Sequence, residues 1–108
     1  MSDVEISRKV VGDWTVSGSS GNTQVRSDGS FVADPPTDTN VTAFPKWAGL
    51  WYIKDGFYIK MITNVFDSKG YDHTIINVER RYKIIRIDDH QMVIRPEGHT
   101  NLITILKH

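Results

Sequence analysis

"VVGDWTV", residues 10–16, is where the character of the chain changes. Ahead of it, DVEISRKVV (3–11) has the marks of a short helix: Asp3 is a good N-cap, and Val4, Ile6, Val10 and Val11 gather loosely on one side. Gly12 stops that helix. From Asp13 onward the apolar residues recur with period two, and β-branched and aromatic side chains are separated by turn-forming groups, which is the pattern of strands. Turn signals fall at SGSSGN (17–22), SDG (27–29), DPPTDTN (34–40), KDG (54–56), DSKGYD (67–72), IDDHQ (87–91) and PEGHTN (96–101). They delimit strands expected over 13–17, 23–26, 30–33, 47–54, 57–66, 73–87, 90–95 and 101–107. No helix-length segment lies between them. About seven or eight short strands joined by tight turns describe an all-β, antiparallel up-and-down meander, and such a meander hides its edges best by closing into a barrel.

The 108 residues suffice for one domain with a single core, here the whole span 1–108, with 1–11 as a helical leader. ADPPTDTNVTAFPKW (33–47) holds three of the four prolines and interrupts the sheet. It reads as a solvated crossover between two half-sheets, or as a lid over one barrel mouth. Thirteen Lys and Arg balance thirteen Asp and Glu, which removes the basic footprint of a nucleic-acid binder. The chain has no cysteine, so thiol chemistry, disulfides and cysteine metal sites are excluded. MSDVEISRKV carries no apolar run, so a signal peptide is not expected, nor is a membrane span anywhere; a cytoplasmic location follows as an expectation.

Gly12-x-Trp14, between a short helix and the first strand, resembles the G-x-W signature of lipocalin-type barrels. In that family the tryptophan packs across the closed end of the barrel, often beneath an arginine from a late strand. The resemblance gives Gly12 and Trp14 a closing role and makes Arg95, just before Pro96, the candidate to stack on the indole, with Arg86 as the alternative. RSDGSFVA (26–33), GLWYIKDGFYI (49–59) and YKIIRIDDHQMVIR (82–95) resemble, in order and spacing, hairpins of small bacterial lipocalin-like domains. The chain is shorter than a typical secreted lipocalin, which leaves less room inside.

In 47–54 the set Trp47, Gly49, Trp51, Ile53 is apolar enough to face inward, and so is the set Phe57, Ile59, Met61, Thr63, Val65 in the next strand. These residues either line a ligand pocket or fill a solid core. In TIINVERRYKIIRI (74–87), alternation that turns Ile76, Val78, Tyr82 and Ile84 inward takes Arg80 with them. Arg80-x-Tyr82 is similar to the Arg-x-Tyr pair with which intracellular fatty-acid-binding proteins hold a ligand carboxylate. A guanidinium offers two donors to a carboxylate and the phenol a third. A β-bulge at Arg80-Arg81 or at Ile84-Ile85 would reverse that facing, and the adjacent isoleucines hint at one.

The expected site is therefore Trp47, Trp51, Phe57, Ile59, Met61, Val78, Arg80 and Tyr82, taking a small apolar or fatty-acid-like ligand without catalysis. The rival is a solid barrel that acts as an interaction module or homodimer through outward Tyr52, Tyr58, Ile62 and Ile103. A small enzyme with a site in the barrel mouth is a third reading. His73, His90, His99 and His108 lack metal-ligand spacing, and no nucleophile elbow or phosphate loop is present, so neither metal nor cofactor is expected.

Overall fold

The computed structural model describes residues 1–18, 21–34, 46–67 and 69–108, without the side chains of 76 and 77. The lid-or-crossover question at 35–45 and the facing of Ile76 lie outside the described residues. Among those residues the chain forms helix α1 (Asp3–Val10) and strands β1 (Gly12–Val16), β2 (Asn22–Val25), β3 (Ser30–Asp34), β4 (Lys46–Lys54), β5 (Phe57–Phe66), β6 (Asp72–Ile87), β7 (Gln91–Pro96) and β8 (Ile103–Lys107). Each strand pairs antiparallel with the next, and β8 returns to β1, which closes the barrel. Closure removes the two free edge strands that an open sheet would have, although β6 runs on past the end of β7, which pairs only with Tyr82–Ile87. The first and last residues of the 33–47 crossover are strand residues of β3 and β4.

The helix start differs from expectation in one respect. Ser2, not Asp3, is the N-cap, its hydroxyl accepting from the Glu5 amide at 3.2 Å. Asp3 reaches instead to the β4–β5 turn, where its carboxylate accepts from the backbone N–H of Asp55 at 2.9 Å and of Gly56 at 3.1 Å. This ties α1 across one end of the barrel, with Ile6 and Val10 buried beneath it and Val4 left exposed.

That end is the closed one. Trp14 is buried in the core and its Nε1 donates to the Val10 carbonyl at 2.7 Å, which fixes the helix exit. The cation over the indole is Lys107, with Nζ 5.5 Å from the ring and also donating to the Lys9 carbonyl at 3.0 Å. Neither Arg95 nor Arg86 fills this role. Arg95 pairs with Lys83 beside inward Ile94 and so faces out, whereas Lys107 stands directly opposite Trp14 in the β1–β8 register. Gly12 is required here by its φ of +142°, a conformation that L side chains rarely adopt; a Cβ on it would also press on the flexible Lys107 side chain, whose Cε would lie 2.6 Å away.

Strand facing decides the interior. The β4–β5 turn has two residues, so Lys54 pairs with Phe57, Ile53 with Tyr58, Trp51 with Lys60 and Gly49 with Ile62. Opposed residues share a face. Trp51 and Ile53 are inward as expected, but Tyr58, Lys60 and Ile62 are inward with them, and Phe57, Ile59 and Met61 take the opposite face of the strand, where Ile59 is nonetheless buried, at 1% exposure. Phe57 lies under the Arg81 guanidinium, 5.0 Å away, on the outer surface. A bulge at Ala48/Gly49 then restores the expected phase, so that Trp47 and Val65 are partners packed against the core. On β6, Val78, Arg80 and Tyr82 are opposite Ile62, Lys60 and Tyr58 and share their inner face. The irregularity foreseen at Ile84-Ile85 is present: pairing shifts between Ile84 and Arg86, so that Ile84 and Ile87 both reach the core.

Candidate functional site

The barrel is not solid. A cavity of about 230 Å³ opens between the strands, lined by Trp14, Val16, Val25, Ile94, Ile103 and Ile105, with Asn22, Thr23, Asp34, Tyr58, Lys60 and Tyr82 as its polar members. Strand direction places Val16, Asn22, Asp34 and Ile103 at strand ends away from α1, so the chamber faces the open end while Trp14 lies toward the helix-covered end.

Lys60 is the unexpected member. Lysine is rarely buried unless paired, yet this half-buried side chain has no hydrogen bond or ion pair among the described residues. Its Nζ lies among three rings instead, 5.3 Å from the centroid of Tyr58, 5.5 Å from Phe31 and 5.6 Å from Tyr82. Loss of water around the ammonium pulls its pKa from 10.5 to about 8. Asp34, the carboxylate on the same cavity, stands at the rim and pairs with Lys46 at 3.3 Å. Arg80 is the other cation on this inner face.

The tyrosines complete the arrangement. Tyr58 packs edge-on against Trp51, centroids 6.3 Å apart, and tilts against Tyr82 at 6.0 Å. Its hydroxyl is buried without a hydrogen-bond partner. Burial pushes both phenols above the ordinary tyrosine value, with the Arg80 charge opposing this at Tyr82. Both therefore remain protonated donors at neutral pH. An ammonium, two phenol donors and apolar walls are the complement of a small anion attached to an apolar body.

Of the residues expected at the site, Tyr82 lines the cavity, and Arg80 lines with it a wider cleft at the mouth that includes Glu79, Arg81, Glu97 and His99. Arg80 is exposed because β7 ends at Pro96, opposite Tyr82, and covers nothing beyond. Trp47, Trp51 and Val78 are on the inner face but pack into the core rather than around the cavity. Trp51 Nε1 donates to the Arg26 carbonyl at 2.8 Å, which holds it in a packing role. Phe57, Ile59 and Met61 lie on the other face of β5 and do not line the cavity, although Ile59 is buried as expected. Tyr58, Ile62 and Ile103, expected outside on the solid-barrel reading, face in.

Comparison with protein-family models, curated proteins and solved structures finds no match. Fold and cavity together define the class: a closed eight-stranded meander barrel whose interior holds an unpaired lysine. Among the described residues no helix is long and apolar enough to cross a membrane and no group of acidic or histidine side chains is placed to hold a metal.

Proposed function

We propose that the protein is a lipocalin-like, non-catalytic binding module for a small carboxylate with an apolar body, anchored on Lys60 and assisted by the Tyr58 and Tyr82 hydroxyls. The observation that carries this reading is the unpaired ammonium in an apolar chamber. Removing such a charge from water without a partner costs several kcal/mol, and a bound anion is what offsets that cost. Size narrows the ligand: an apolar cavity of about 150 Å³ accepts benzene, so about 230 Å³ suits an aromatic or short branched acid better than a long acyl chain.

Titration calorimetry with benzoate and short branched carboxylates tests the reading. Binding is expected to be tightest below pH 8, where free Lys60 is charged, and to weaken by up to tenfold per pH unit above it. Lys60→Met is expected to abolish binding. Unchanged affinity across pH 7 to 9.5, or in the methionine variant, refutes the proposal. A second reading, self-association, draws support from Leu50 and Tyr52, which are 53% and 41% exposed side by side on the outer face of β4. Light scattering over a range of concentrations tests it, and a constant monomer mass excludes it.

A further inference from the structure

Anion binding uses Lys60 as an ammonium, but a chamber that disfavours the charged form also presents a free amine. We propose that Lys60 is a covalent capture site for small aldehydes, forming a reversible imine with a carbonyl compound that enters the barrel from its open end. The geometry supports this in three ways. Nζ has neither a carboxylate nor a backbone carbonyl to hold its protons, only the faces of Phe31, Tyr58 and Tyr82. The adjoining cavity has room for an aromatic or short aliphatic aldehyde beside it. The buried Tyr58 hydroxyl, two residues away on the same inner face, has no partner of its own.

The chemistry balances without an oxidant or reductant. The ammonium gives a proton to water at the mouth, and the nitrogen lone pair attacks the carbonyl carbon. The C=O π pair becomes an alkoxide that takes a proton while the nitrogen sheds one, giving a neutral carbinolamine. A second proton is added to its hydroxyl, the C–O bond breaks and water leaves, the nitrogen lone pair forms C=N, and the remaining N–H proton passes to water. Tyr58, kept protonated by burial, is a donor available to the carbinolamine oxygen, and the apolar walls slow hydrolysis of the product by limiting water. The titratable and charged groups facing Lys60 from the surrounding strands are Tyr58, Tyr82, Arg80 and, at the rim, Asp34. With Lys60 near 8, roughly a tenth of it is free amine at pH 7, against well under one in a thousand for an ordinary lysine. Of the other lysines, Lys9 and Lys46 are held by Asp89 and Asp34, and Lys107 donates to a backbone carbonyl.

This shares with the carboxylate reading the requirement that the chamber admit small molecules, and benzaldehyde with benzoate separates the two. The protein is incubated at pH 8 with benzaldehyde and cyanoborohydride, and the reduced adduct is located by peptide mass mapping. One benzyl group on Lys60, introduced roughly tenfold or more faster than on any other lysine, slowed by benzoate and absent from Lys60→Met, is the expected result. Lys60→Arg keeps the charge but forms no imine, and serves if the methionine variant misfolds. Labelling spread over exposed Lys54, Lys69 and Lys83 with Lys60 untouched overturns the proposal. If benzoate still binds with the expected pH dependence in that case, covalent capture alone fails; if neither probe enters, both readings fall.

Discussion

Replacing Lys60 by methionine should stabilise the protein while destroying its proposed site. The drop in Lys60 from 10.5 to about 8, at about 1.4 kcal/mol per pH unit, means that the charged ammonium costs the fold about 3 kcal/mol. The three ring contacts, each near the outer limit of cation–π range, return about 1 kcal/mol together. Methionine has similar length, no charge and a flexible apolar chain suited to the chamber, so Lys60→Met should gain about 2 kcal/mol at pH 7. The pH dependence identifies the cause. A folded pKa below the unfolded one means that between pH 8 and 10.5 the unfolded chain binds more protons, so parent stability rises with pH there. The advantage of the variant should accordingly shrink toward zero by about pH 10.5. Tyr58 acts in the opposite sense above its unfolded value of 10, because burial raises its pKa. The difference between variant and parent, in which that contribution cancels, is therefore the quantity to read. Urea unfolding followed by tryptophan fluorescence at pH 7, 8.5 and 9.5, with an unchanged m-value, supplies it. A variant less stable than the parent at pH 7, or an advantage that does not diminish with pH, refutes the account of Lys60 as a half-buried, unpaired charge.

Three further substitutions test the frame. A Cβ at Gly49 would sit 1.9 Å from the Met61 carbonyl oxygen, a backbone atom that no rotamer change can move, so Gly49→Ala should cost about 3 kcal/mol or more. Gly56, also in the β4–β5 hairpin, meets nothing within 4 Å and has only its φ of +77° to protect, so Gly56→Ala should cost about 1 kcal/mol. Thermal melts should rank the two in that order, and equal losses would contradict the close β4–β5 approach. Asp3→Ala removes the acceptor for two turn amides and should lower stability by about 1–2 kcal/mol. Hydrogen exchange in α1 should quicken more than in β5; equal protection in variant and parent would mean that the carboxylate does not hold the helix.

Much of the barrel was legible because its signals are local. Period-two runs and glycine or Asx turns place all eight strands within a residue or two of their observed limits, and Gly12-x-Trp14 marks the end that closes. The adjacent Ile84 and Ile85 announced their bulge. The facing of β5 was misread although its cause is local as well. Phe57, Ile59 and Met61 form the more apolar set, and hydrophobicity favours turning them inward over a set that contains Lys60. The two-residue turn at Asp55-Gly56 nevertheless pairs Ile53 with Tyr58, and register overrides composition.

The site follows the same division. Alternation puts Arg80 and Tyr82 on one face of β6 but left open which face that is; the β5–β6 register sets both opposite inward residues, and where β7 stops determines that Tyr82 meets the cavity and Arg80 only its mouth. Lys107 over Trp14 has no sequence signal, since the last strand meets the first only on closure. Local chemistry, in turns, alternation and the helix stop, determined the strands and their order from the sequence alone. Only the closed barrel decided that Lys60 and Tyr58 of β5, Tyr82 of β6 and Phe31 of β3 share one chamber, because their meeting depends on how far these three strands are staggered against one another, and stagger is a property of the whole sheet.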